Sequence, residues 1–426
     1  YISPEQAKGG WVDNRSDLYS LSVVMYEMMT GRPPYDGESA VAVAIQHING
    51  GAPLPTVWNP NIPSGLEQII MKGMSLEIRD RYVSATDVSG HAVLTLPNGL
   101  YRVNLNGRDG DDVFNGSADK VVLSGKDLTL NLKVSVSRSG ALLIKEIYCG
   151  GCKRLPLEGN YHNDQYFIIH NNDFEVQYLD SLCFGTLSPY NSTSNNPWAT
   201  KDPATGELTL PDFLPMIQAI WQFPGDGDDF PLQPGEDAVV CLKGAVDHSA
   251  QYPLSVNLNR PGYFVCYNNT YFPNTTSHPA PGDMISIDRY LKVVIKTGQA
   301  NAYTVSISSP TLVLFKAKGQ SIDEFVRQTG TVVPVPGSTV DNVVKIPFDW
   351  VVDAVEVFDG RSANNTKRLL PSLDAGYVLQ TDTFLGRSLM RKTDEAMSAS
   401  AGYEVLADTN NSLNDFYETA QQSLHE

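Results

Sequence analysis

Cysteine is scarce in this sequence, and long apolar runs are absent. The 426 residues include five cysteines, at positions 149, 152, 183, 241 and 266. Five are too few for a disulfide scaffold, and an odd number leaves at least one thiol without an internal partner. No stretch reaches the roughly 18 consecutive apolar residues of a membrane helix, so we expect no transmembrane segment. The sequence starts inside a motif, without an initiator methionine or a signal peptide, and we therefore expect a truncated N-terminus.

Positive charge is also scarce. The chain carries 31 lysines and arginines against 48 aspartates and glutamates, which gives a formal net charge of −17 and a pI near 4.8. Binding to nucleic acid or to an anionic membrane requires clustered basic side chains. Only Lys72, Arg79 and Arg81 approach such a cluster. The charge therefore argues against nucleic acid as a partner.

The first part of the chain has a helical pattern. Asp17 to Thr30 is apolar on nearly every face, which predicts a helix buried all round. Gly31 supplies a stop signal after this helix. Two further helices are predicted from about Ser39 to Ile48 and from about Gly65 to Met74. The composition is that of a folded protein, and the length allows two to four domains at about 100–200 residues per domain.

From about residue 85 onward the pattern changes to short alternating segments separated by turn residues. Such alternation predicts antiparallel β structure, and we expect β-sandwich material to the C-terminus. The segments that carry this prediction are Ala92–Leu96, Tyr101–Leu105, Leu128–Val136, Tyr303–Ile307 and Thr311–Phe315. Two helices are predicted within this region, at Ser321–Gln328 and Leu413–His425.

Three segments at the start of the chain resemble bacterial Ser/Thr protein kinases. Tyr1-Ile-Ser-Pro-Glu-Gln-Ala7 is similar to the end of an activation segment, with Ser-Pro-Glu at the Ala-Pro-Glu position. The segment from Asp13 to Asp36 looks like the buried helix and following loop of the kinase C-lobe. Arg79-Asp-Arg-Tyr-Val-Ser-Ala85 looks like the closing arginine motif of the family. Residues 1–88 are thus expected to form the back half of an all-α kinase C-lobe.

The kinase resemblance implies roles for three residues. Glu5 is expected to pair with Arg81 through a bidentate carboxylate–guanidinium contact, and Asp17 to accept hydrogen bonds from a catalytic loop. Phosphoryl transfer needs a Gly-rich loop, a strand lysine with its glutamate, a catalytic-loop Asp and Asn, and a metal-binding Asp-Phe-Gly. These parts precede the matched segment in kinases. We therefore expect no catalytic residues, no cofactor and no kinase activity in this chain.

The β-rich remainder resembles two other groups of proteins. Ser89-Gly-His-Ala-Val-Leu-Thr-Leu-Pro-Asn-Gly-Leu-Tyr-Arg-Val103 is similar to the second half of a transthyretin-like, carboxypeptidase-regulatory-type β domain, truncated here to about 89–140. Residues from about 141 to 426 resemble an uncharacterised family of bacterial surface lipoproteins, with strand motifs similar to immunoglobulin-like lamin-tail sandwiches. The matching pieces are Leu143–Cys152, Asp164–Asn172, Tyr178–Cys183, Lys345–Glu356 and Asp408–Phe416. This resemblance implies a cell-surface or extracellular location, whereas the kinase-like part would be cytoplasmic.

Two cysteines have the spacing of a redox motif. Cys149-Gly-Gly-Cys152 is a candidate disulfide or redox pair. A thioredoxin-like site needs its first cysteine at a helix N-terminus, and the residues after Cys152 do not start a helix. A second pair at zinc spacing is missing, so a local turn or disulfide is favoured over metal binding.

Acidic turns and aromatic residues supply the remaining candidates. Asp109 with Asp111, and Asp226 with Asp228, place carboxylates at alternate positions, as calcium loops do, but neither turn completes the twelve-residue pattern. Solvated turns are therefore favoured over calcium sites. Trp198, Trp221 and the tyrosines are candidates for a glycan-binding surface, whereas Trp350 at strand spacing is expected in the core. The sequence contains neither a Gly-x-Ser-x-Gly nor a His-Glu-x-x-His motif, so its motifs do not indicate a hydrolase.

Together these patterns predict a multidomain chimera: an all-α kinase C-lobe fragment followed by a mainly-β, immunoglobulin-like or lamin-tail-like sandwich region. The larger part is expected to be a surface protein that binds an extracellular ligand, a glycan or a protein, or serves a structural role. The alternative is that the chain is a fragment of a signalling kinase.

Overall fold

The structure is a computed structural model in two compact units. It describes residues 2–8, 14–37, 39–76, 81, 96–109, 112–132, 134–138, 140–201 and 208–425. The first unit comprises Tyr1–Val103, Arg108–Asp112 and Ala118–Asn131, and the second comprises Asn104–Gly107, Val113–Ser117 and Leu132–Glu426. A small helical N-terminal region thus precedes a mainly-β region, as the sequence predicts. The finer division into three domains stays a prediction.

The helical region contains the three helices predicted from the sequence, with ends shifted by up to three residues. The predicted helices are α2 (Asn14–Thr30), α3 (Ala40–Asn49) and α4 (Ser64–Gly73), and a short helix that was not predicted, α1 (Pro4–Ala7), precedes them. A short 3-10 turn at Pro55–Val57 separates α3 from α4. Ser39 caps α3 by accepting a hydrogen bond from the Ala42 amide, and Gly50 ends it at a φ of 70°.

One face of α2 is buried, but another is exposed. Tyr19, Val23 and Tyr26 are fully buried in a core that includes side chains of α4. Leu21 and Met28 expose 49% and 74% of their surface. The prediction that this helix is buried all round is wrong for the described residues, because they cover only the face that packs against α4.

Residues 99 to 138 contain a three-stranded sheet in the order β1-β2-β3. Its strands are β1 (Gly99–Asp109), β2 (Asp112–Leu123) and β3 (Ser135–Arg138). The predicted strand Tyr101–Leu105 lies within β1, whereas Ala92–Leu96 falls almost wholly outside the described residues. The predicted strand Leu128–Val136 is wrong for residues 128–132 and 134, and its leucines at 128 and 130 are exposed. Alternation alone does not form a strand where no layer covers the apolar face.

The second unit is built on two large sheets. Its strands are β4 (Leu142–Tyr148), β5 (Cys152–Lys153), β6 (Asn160–Tyr161), β7 (Tyr166–Asn171), β8 (Gln177–Tyr178), β9 (Cys183–Leu187), β10 (Thr200–Lys201), β11 (Leu208–Thr209), β12 (Leu214–Gln222), β13 (Pro231–Leu232), β14 (Asp237–Cys241), β15 (Phe264–Val265), β16 (Lys292–Lys296), β17 (Thr311–Phe315), β18 (Val332–Pro334), β19 (Asn342–Ile346), β20 (Val351–Asp359), β21 (Val378–Gln380), β22 (Leu389–Arg391) and β23 (Phe416–Glu418). One sheet runs β18-β19-β12-β9-β17-β20-β21, with β16 also paired to β12, and the other runs β15-β14-β7-β4-β22-β23. Three two-stranded ribbons, β5-β6, β8-β13 and β10-β11, accompany them.

The two sheets share one apolar core. Phe167 of β7 packs edge-on against Phe184 of β9, with ring centroids 4.9 Å apart. Trp221 of β12 is fully buried and contacts Phe272 and Tyr303. Aromatic contacts of this kind fix the distance between the sheets and supply a large share of the buried area.

The outer face of each sheet is covered as well. Val313 and Phe315 of β17 pack with Phe325 and Trp350 over the eight-stranded sheet. Ile168 of β7 packs with buried side chains of the segment from Ala245 to Ile285 over the other sheet. Strands β7 and β17 are therefore buried at every residue, which explains why β7 reads as a continuous apolar run rather than an alternating one.

The helices of the β region are short. They are α5 (Ile322–Phe325), α6 (Glu395–Ala401) and α7 (Ser412–Asp415). Ser321 and Glu324 form a capping box at the start of α5, within the predicted range Ser321–Gln328. The predicted helix Leu413–His425 is wrong, because the chain leaves α7 and enters β23, which pairs with β22. Tyr303–Ile307 is not a strand, although Tyr303 and Val305 are fully buried.

Two buried guanidiniums join segments of this unit. Arg368 is bonded to Glu356 of β20 at 2.7 Å, and both side chains have no exposed surface. Arg368 also donates to the carbonyls of Ser309 and Val357, both at 3.0 Å. Because every charge in this pair has a hydrogen-bond partner, its burial is tolerated.

The second guanidinium, Arg391 of β22, faces three buried carboxylates. Its Nη2 lies 2.7 Å from Asp353 Oδ2 on β20, and its Nη1 lies 3.3 Å from Asp408 and 3.6 Å from Asp415. Asp353 also accepts a 2.6 Å hydrogen bond from the Ile144 amide of β4. Burial raises the pKa of Asp353 to about 6 and that of Asp415 to about 7, against the opposing attraction of Arg391. One cation therefore does not keep all three carboxyls ionised below neutral pH.

This cluster predicts a pH-dependent difference between the wild type and Asp415→Asn. A carboxyl whose pKa is raised by folding stabilises the folded state at low pH and loses that contribution as the pH rises through the folded value. Relative to Asp415→Asn, the wild type should therefore lose roughly 1–2 kcal/mol of unfolding free energy between about pH 5.5 and pH 8. Urea unfolding of both proteins across this range measures the difference, and the shared histidines cancel from it. Parallel stability curves would contradict the assignment.

Candidate functional site

The structure brings two of the three kinase-motif residues together. Arg81 donates from Nη1 and Nη2 to the two carboxylate oxygens of Glu5, both at 2.8 Å, and both side chains are buried. Ser16 donates a further hydrogen bond to Glu5. Although burial opposes ionisation, these hydrogen bonds outweigh it and lower the pKa of Glu5 to about 2. The side chain of Asp17 lies outside the described part of the structure.

The two cysteines of the Cys149-Gly-Gly-Cys152 turn are buried free thiols. The Cys149 sulfur lies 3.0 Å from Gln380 Oε1, and the Cys152 sulfur lies 3.6 Å from Asp164 Oδ2. Burial raises the pKa of the Cys152 thiol to about 12 and also raises that of Cys149. The predicted disulfide is therefore wrong, because the two cysteines are free thiols that contact different partners. A redox role is also disfavoured, since the nucleophilic form is the thiolate.

The acidic turn that contains Asp226 and Asp228 is organised around a carboxylate. The buried Asp180 accepts backbone hydrogen bonds from Gly227, Asp229 and Phe230 at 2.9–3.0 Å. Asp226 and Asp228 are exposed at the edge of this turn. The turn is thus held by hydrogen bonds within the protein, in keeping with the favoured interpretation of a solvated turn, and the calcium alternative stays a prediction. Asp111 and the side chain of Asp109 lie outside the described residues.

The three tryptophans considered in the sequence, Trp198, Trp221 and Trp350, do not form a common surface. Trp221 and Trp350 are buried, Trp350 as expected, in different apolar clusters. Trp198 is half-exposed and packs edge-on against Phe213. The prediction that Trp198 and Trp221 line one glycan-binding surface is therefore wrong, because Trp221 is buried in the core between the sheets.

The structure shows a polar cluster, which we call the Asp164 cluster, that the sequence motifs do not reveal. Asp164 has no exposed surface and accepts hydrogen bonds on Oδ2 from Ser255 at 2.6 Å and Tyr148 at 3.0 Å. Among the described residues, its Oδ1 has no hydrogen-bond partner. Burial raises the pKa of this carboxyl. A short hydroxyl donor and an unsatisfied oxygen at a fully buried acid are unusual for a residue that serves packing alone.

His248 extends the cluster toward the surface. Its Nδ1 lies 2.6 Å from the Tyr161 hydroxyl, and its Nε2 lies 2.8 Å from the Gly244 carbonyl. Tyr161 packs on Tyr252 with ring centroids 4.3 Å apart. The Arg154 guanidinium lies 5.7 Å from the Tyr252 ring and 6.0 Å from the Tyr161 ring, within the range of cation–π attraction.

A group of rings and cations surrounds the cluster, and we call Lys153, Arg154, Tyr161, His162 and Phe384 the rim. Lys153 and Arg154 are exposed, and the three rings are half-exposed. The Lys153 amine lies 5.8 Å from the Phe384 ring, which also contacts His162. Phe384 has a φ of 61°, a rare conformation for a bulky residue. Its amide donates to the Gly150 carbonyl at 2.9 Å, which fixes the loop against the double-glycine turn.

Long sequence separations hide this site. The partners of Asp164 come from Ser255, 91 residues away, and from Tyr148, 16 residues away. The signal present in the sequence is the run Tyr161-His-Asn-Asp164 at the start of a strand, in which four polar or aromatic residues precede an apolar stretch. Within the described residues, no group of three or more His, Cys, Asp or Glu is placed to hold a metal ion, and no helix is long and apolar enough to cross a bilayer.

Comparison with known proteins separates the two parts of the chain. Residues 1–86 match the family model "Protein tyrosine and serine/threonine kinase". The chain is 44% identical over 88 residues to the serine/threonine-protein kinase PrkC of Bacillus subtilis (strain 168), which covers 21% of this chain and 14% of the relative. It is 46% identical over 99 residues to the probable serine/threonine-protein kinase PknB of Bifidobacterium longum (strain NCC 2705), with 23% and 14% covered. The chain thus spans about one seventh of the length of these relatives.

Part of the remainder matches a family model without an assigned function. Residues 233–423 match the model "Protein of unknown function (DUF4876)". The crystal structure of a DUF4876 family protein from Bacteroides thetaiotaomicron superposes with a TM-score of 0.54 at 26% identity, and covers 76% of this chain and 83% of that one. The resemblance to kinases and the resemblance to an uncharacterised family are confirmed: a segment similar to part of a bacterial Ser/Thr protein kinase precedes a mainly-β region similar to the DUF4876 family. The transthyretin-like and lamin-tail-like resemblances stay predictions.

Proposed function

We propose that the mainly-β region is a non-catalytic binding module of a bacterial surface or extracellular protein. The observation that carries this proposal is the rim, where exposed cations lie next to half-exposed rings. Aromatic faces stack on sugar rings, and Lys153 and Arg154 add positive charge to a chain whose net charge is −17. Of the two ligand classes that the sequence suggests, a glycan or a protein, the rim favours an acidic glycan.

The environment of the Asp164 cluster supports binding rather than hydrolysis. Glycoside hydrolysis uses two carboxyl groups that flank the substrate. Asp164 is fully buried, and the groups around it are phenols and a thiol whose pKa values burial raises. Its role in this proposal is to hold Tyr148, Ser255 and the base of the rim in place. The surface location rests on the resemblance of the region to surface lipoproteins.

A second candidate function follows from the N-terminal segment. The bidentate contact between Glu5 and Arg81 is the feature expected of a kinase C-lobe, and it favours descent from a signalling kinase. ATP-dependent phosphorylation would then belong to the intact parent. The two proposals assign the two parts of the chain to different compartments.

The rim proposal predicts selective loss of glycan binding in Lys153→Ala/Arg154→Ala. Wild-type protein on an array of acidic and neutral glycans should bind acidic ones, and the double variant should bind them roughly tenfold more weakly because two cation contacts are lost. Arg327→Ala, which removes an exposed guanidinium after α5, is the matched control and should bind as the wild type does. Wild-type protein that binds no glycan, or binding that survives the double substitution, would contradict the proposal.

The non-catalytic proposal also predicts that the polypeptide does not turn over ATP. The phosphate and metal ligands of a kinase precede the Ser-Pro-Glu motif, and the match to kinases starts at that motif. Purified protein should show no magnesium-dependent phosphorylation of a generic Ser/Thr substrate and no ATP binding by calorimetry. Activity that persists through successive purification steps in constant proportion to this chain would overturn the proposal.

A further inference from the structure

Lys243 and Asn163 are held next to each other by backbone pairing. Asn163 precedes β7 and Lys243 follows β14, and the two strands are antiparallel neighbours with Cys241 opposite Tyr166. The pairing continues one step further, because the Leu242 amide donates to the Gln165 carbonyl at 2.9 Å. The ends of the two strands are therefore fixed relative to each other.

The Lys243 amine is buried without a carboxylate in contact. Lys243 exposes 3% of its surface, and the one hydrogen bond that its Nζ makes among the described residues is to Asn163 Oδ1 at 3.4 Å. A buried lysine is ordinarily ion-paired. Lys145 shows the ordinary case, since its amine lies 2.6 Å from both Asp237 and Glu404. An isolated ammonium at position 243 needs another explanation.

Burial favours the neutral amine of Lys243 against the attraction of Asp164, and its lowered pKa leaves a minority of the amine neutral at pH 7. Burial lowers the pKa of Lys243 to about 8 and those of His162 and His278 to about 4, so both imidazoles are uncharged at neutral pH. Asp164, whose unbonded Oδ1 was described above, is the acidic group that acts on Lys243 electrostatically. A neutral amine is a nucleophile, whereas an ammonium is not.

We propose that Lys243 and Asn163 become joined by an intramolecular amide bond, an isopeptide cross-link between the ends of β7 and β14. The neutral Nζ attacks Asn163 Cγ and forms the Nζ–Cγ bond. The Cγ–Nδ2 bond breaks, a proton passes from Nζ to Nδ2, and ammonia leaves. No oxidant, reductant or other reactant is required, and the product is a neutral amide in place of a buried charge.

The geometry fits this reaction. Nζ lies 3.4 Å from Asn163 Oδ1, the oxygen bonded to the carbon that it attacks, so the amine and the side-chain amide are in hydrogen-bond contact. The leaving nitrogen, Nδ2, points the other way and donates to the Thr276 carbonyl at 3.2 Å, where Thr276 is exposed. Ammonia therefore has a direct path to solvent.

The test is the intact mass of the folded full-length protein. The proposal predicts a mass lower than that of the sequence by one ammonia, together with a branched peptide that joins the segments around residues 163 and 243 after trypsin digestion. Lys243→Met and Asn163→Ala should each restore the unmodified mass for their sequences. Lys145→Met is the matched control, because it removes an ion-paired amine and should keep the ammonia loss.

Each outcome of the mass measurement either supports or overturns the cross-link. An unmodified wild-type mass in protein that unfolds cooperatively would overturn the proposal, as would an ammonia loss that persists in Lys243→Met. Loss of water instead of ammonia would place the acceptor at a carboxyl such as Asp164 and overturn the assignment to Asn163. The mass and the branched peptide of the wild type decide the proposal by themselves, so a variant that fails to fold does not affect the test.

Discussion

The ion pair between Arg391 and Asp353 is the interaction on which the two-sheet region most depends. It joins β22 of the six-stranded sheet to β20 of the eight-stranded sheet at 2.7 Å. The same guanidinium donates from Nε to the Ile144 carbonyl at 2.9 Å, and Asp353 accepts from the Ile144 amide. Two charged groups and one strand are thus locked together at the point where the sheets meet. Removal of the Arg391 charge would leave the buried carboxylates without their cation, at a cost of about 3–5 kcal/mol.

Covered outer faces explain where the exposed features of this region lie. Because loops and short helices pack over both sheets, strand side chains are unavailable to solvent through most of the region. The accessible rings and cations lie instead on loops at strand ends, where Lys153 lies near Phe384 beside the double-glycine turn. The loops carry the variable chemistry while the paired strands hold them in position. A binding role and a cross-link between β7 and β14 both belong to this arrangement.

The sequence predicted local structure well and long-range assembly poorly. Helices α2 to α4 and the strand Thr311–Phe315 follow from apolar period and turn signals, which are properties of neighbouring residues. The helix expected at Leu413–His425 failed because pairing of β23 with β22 overrides local helical preference. Asp226 was weighed as a calcium ligand because spacing shows that acids cluster but not that Asp180 occupies the centre of their turn.

The Asp164 cluster shows the same limit of prediction from sequence at the candidate site. Ser255 lies 91 residues from Asp164, and no spacing rule connects the two. The contact of Glu5 with Arg81 spans a comparable 76 residues, yet it was anticipated because a family resemblance supplied the pairing. Contacts that no family motif records become visible only when the sheet order is known.

Native-state hydrogen exchange of the full chain tests most directly the claim that Arg391 and Asp353 bind the two sheets into one cooperative unit. Peptides from β7 in one sheet and β17 in the other should report the same opening free energy, and that value should fall in parallel with added urea. Two distinct opening free energies, with one sheet exchanging while the other stays protected, would contradict this account.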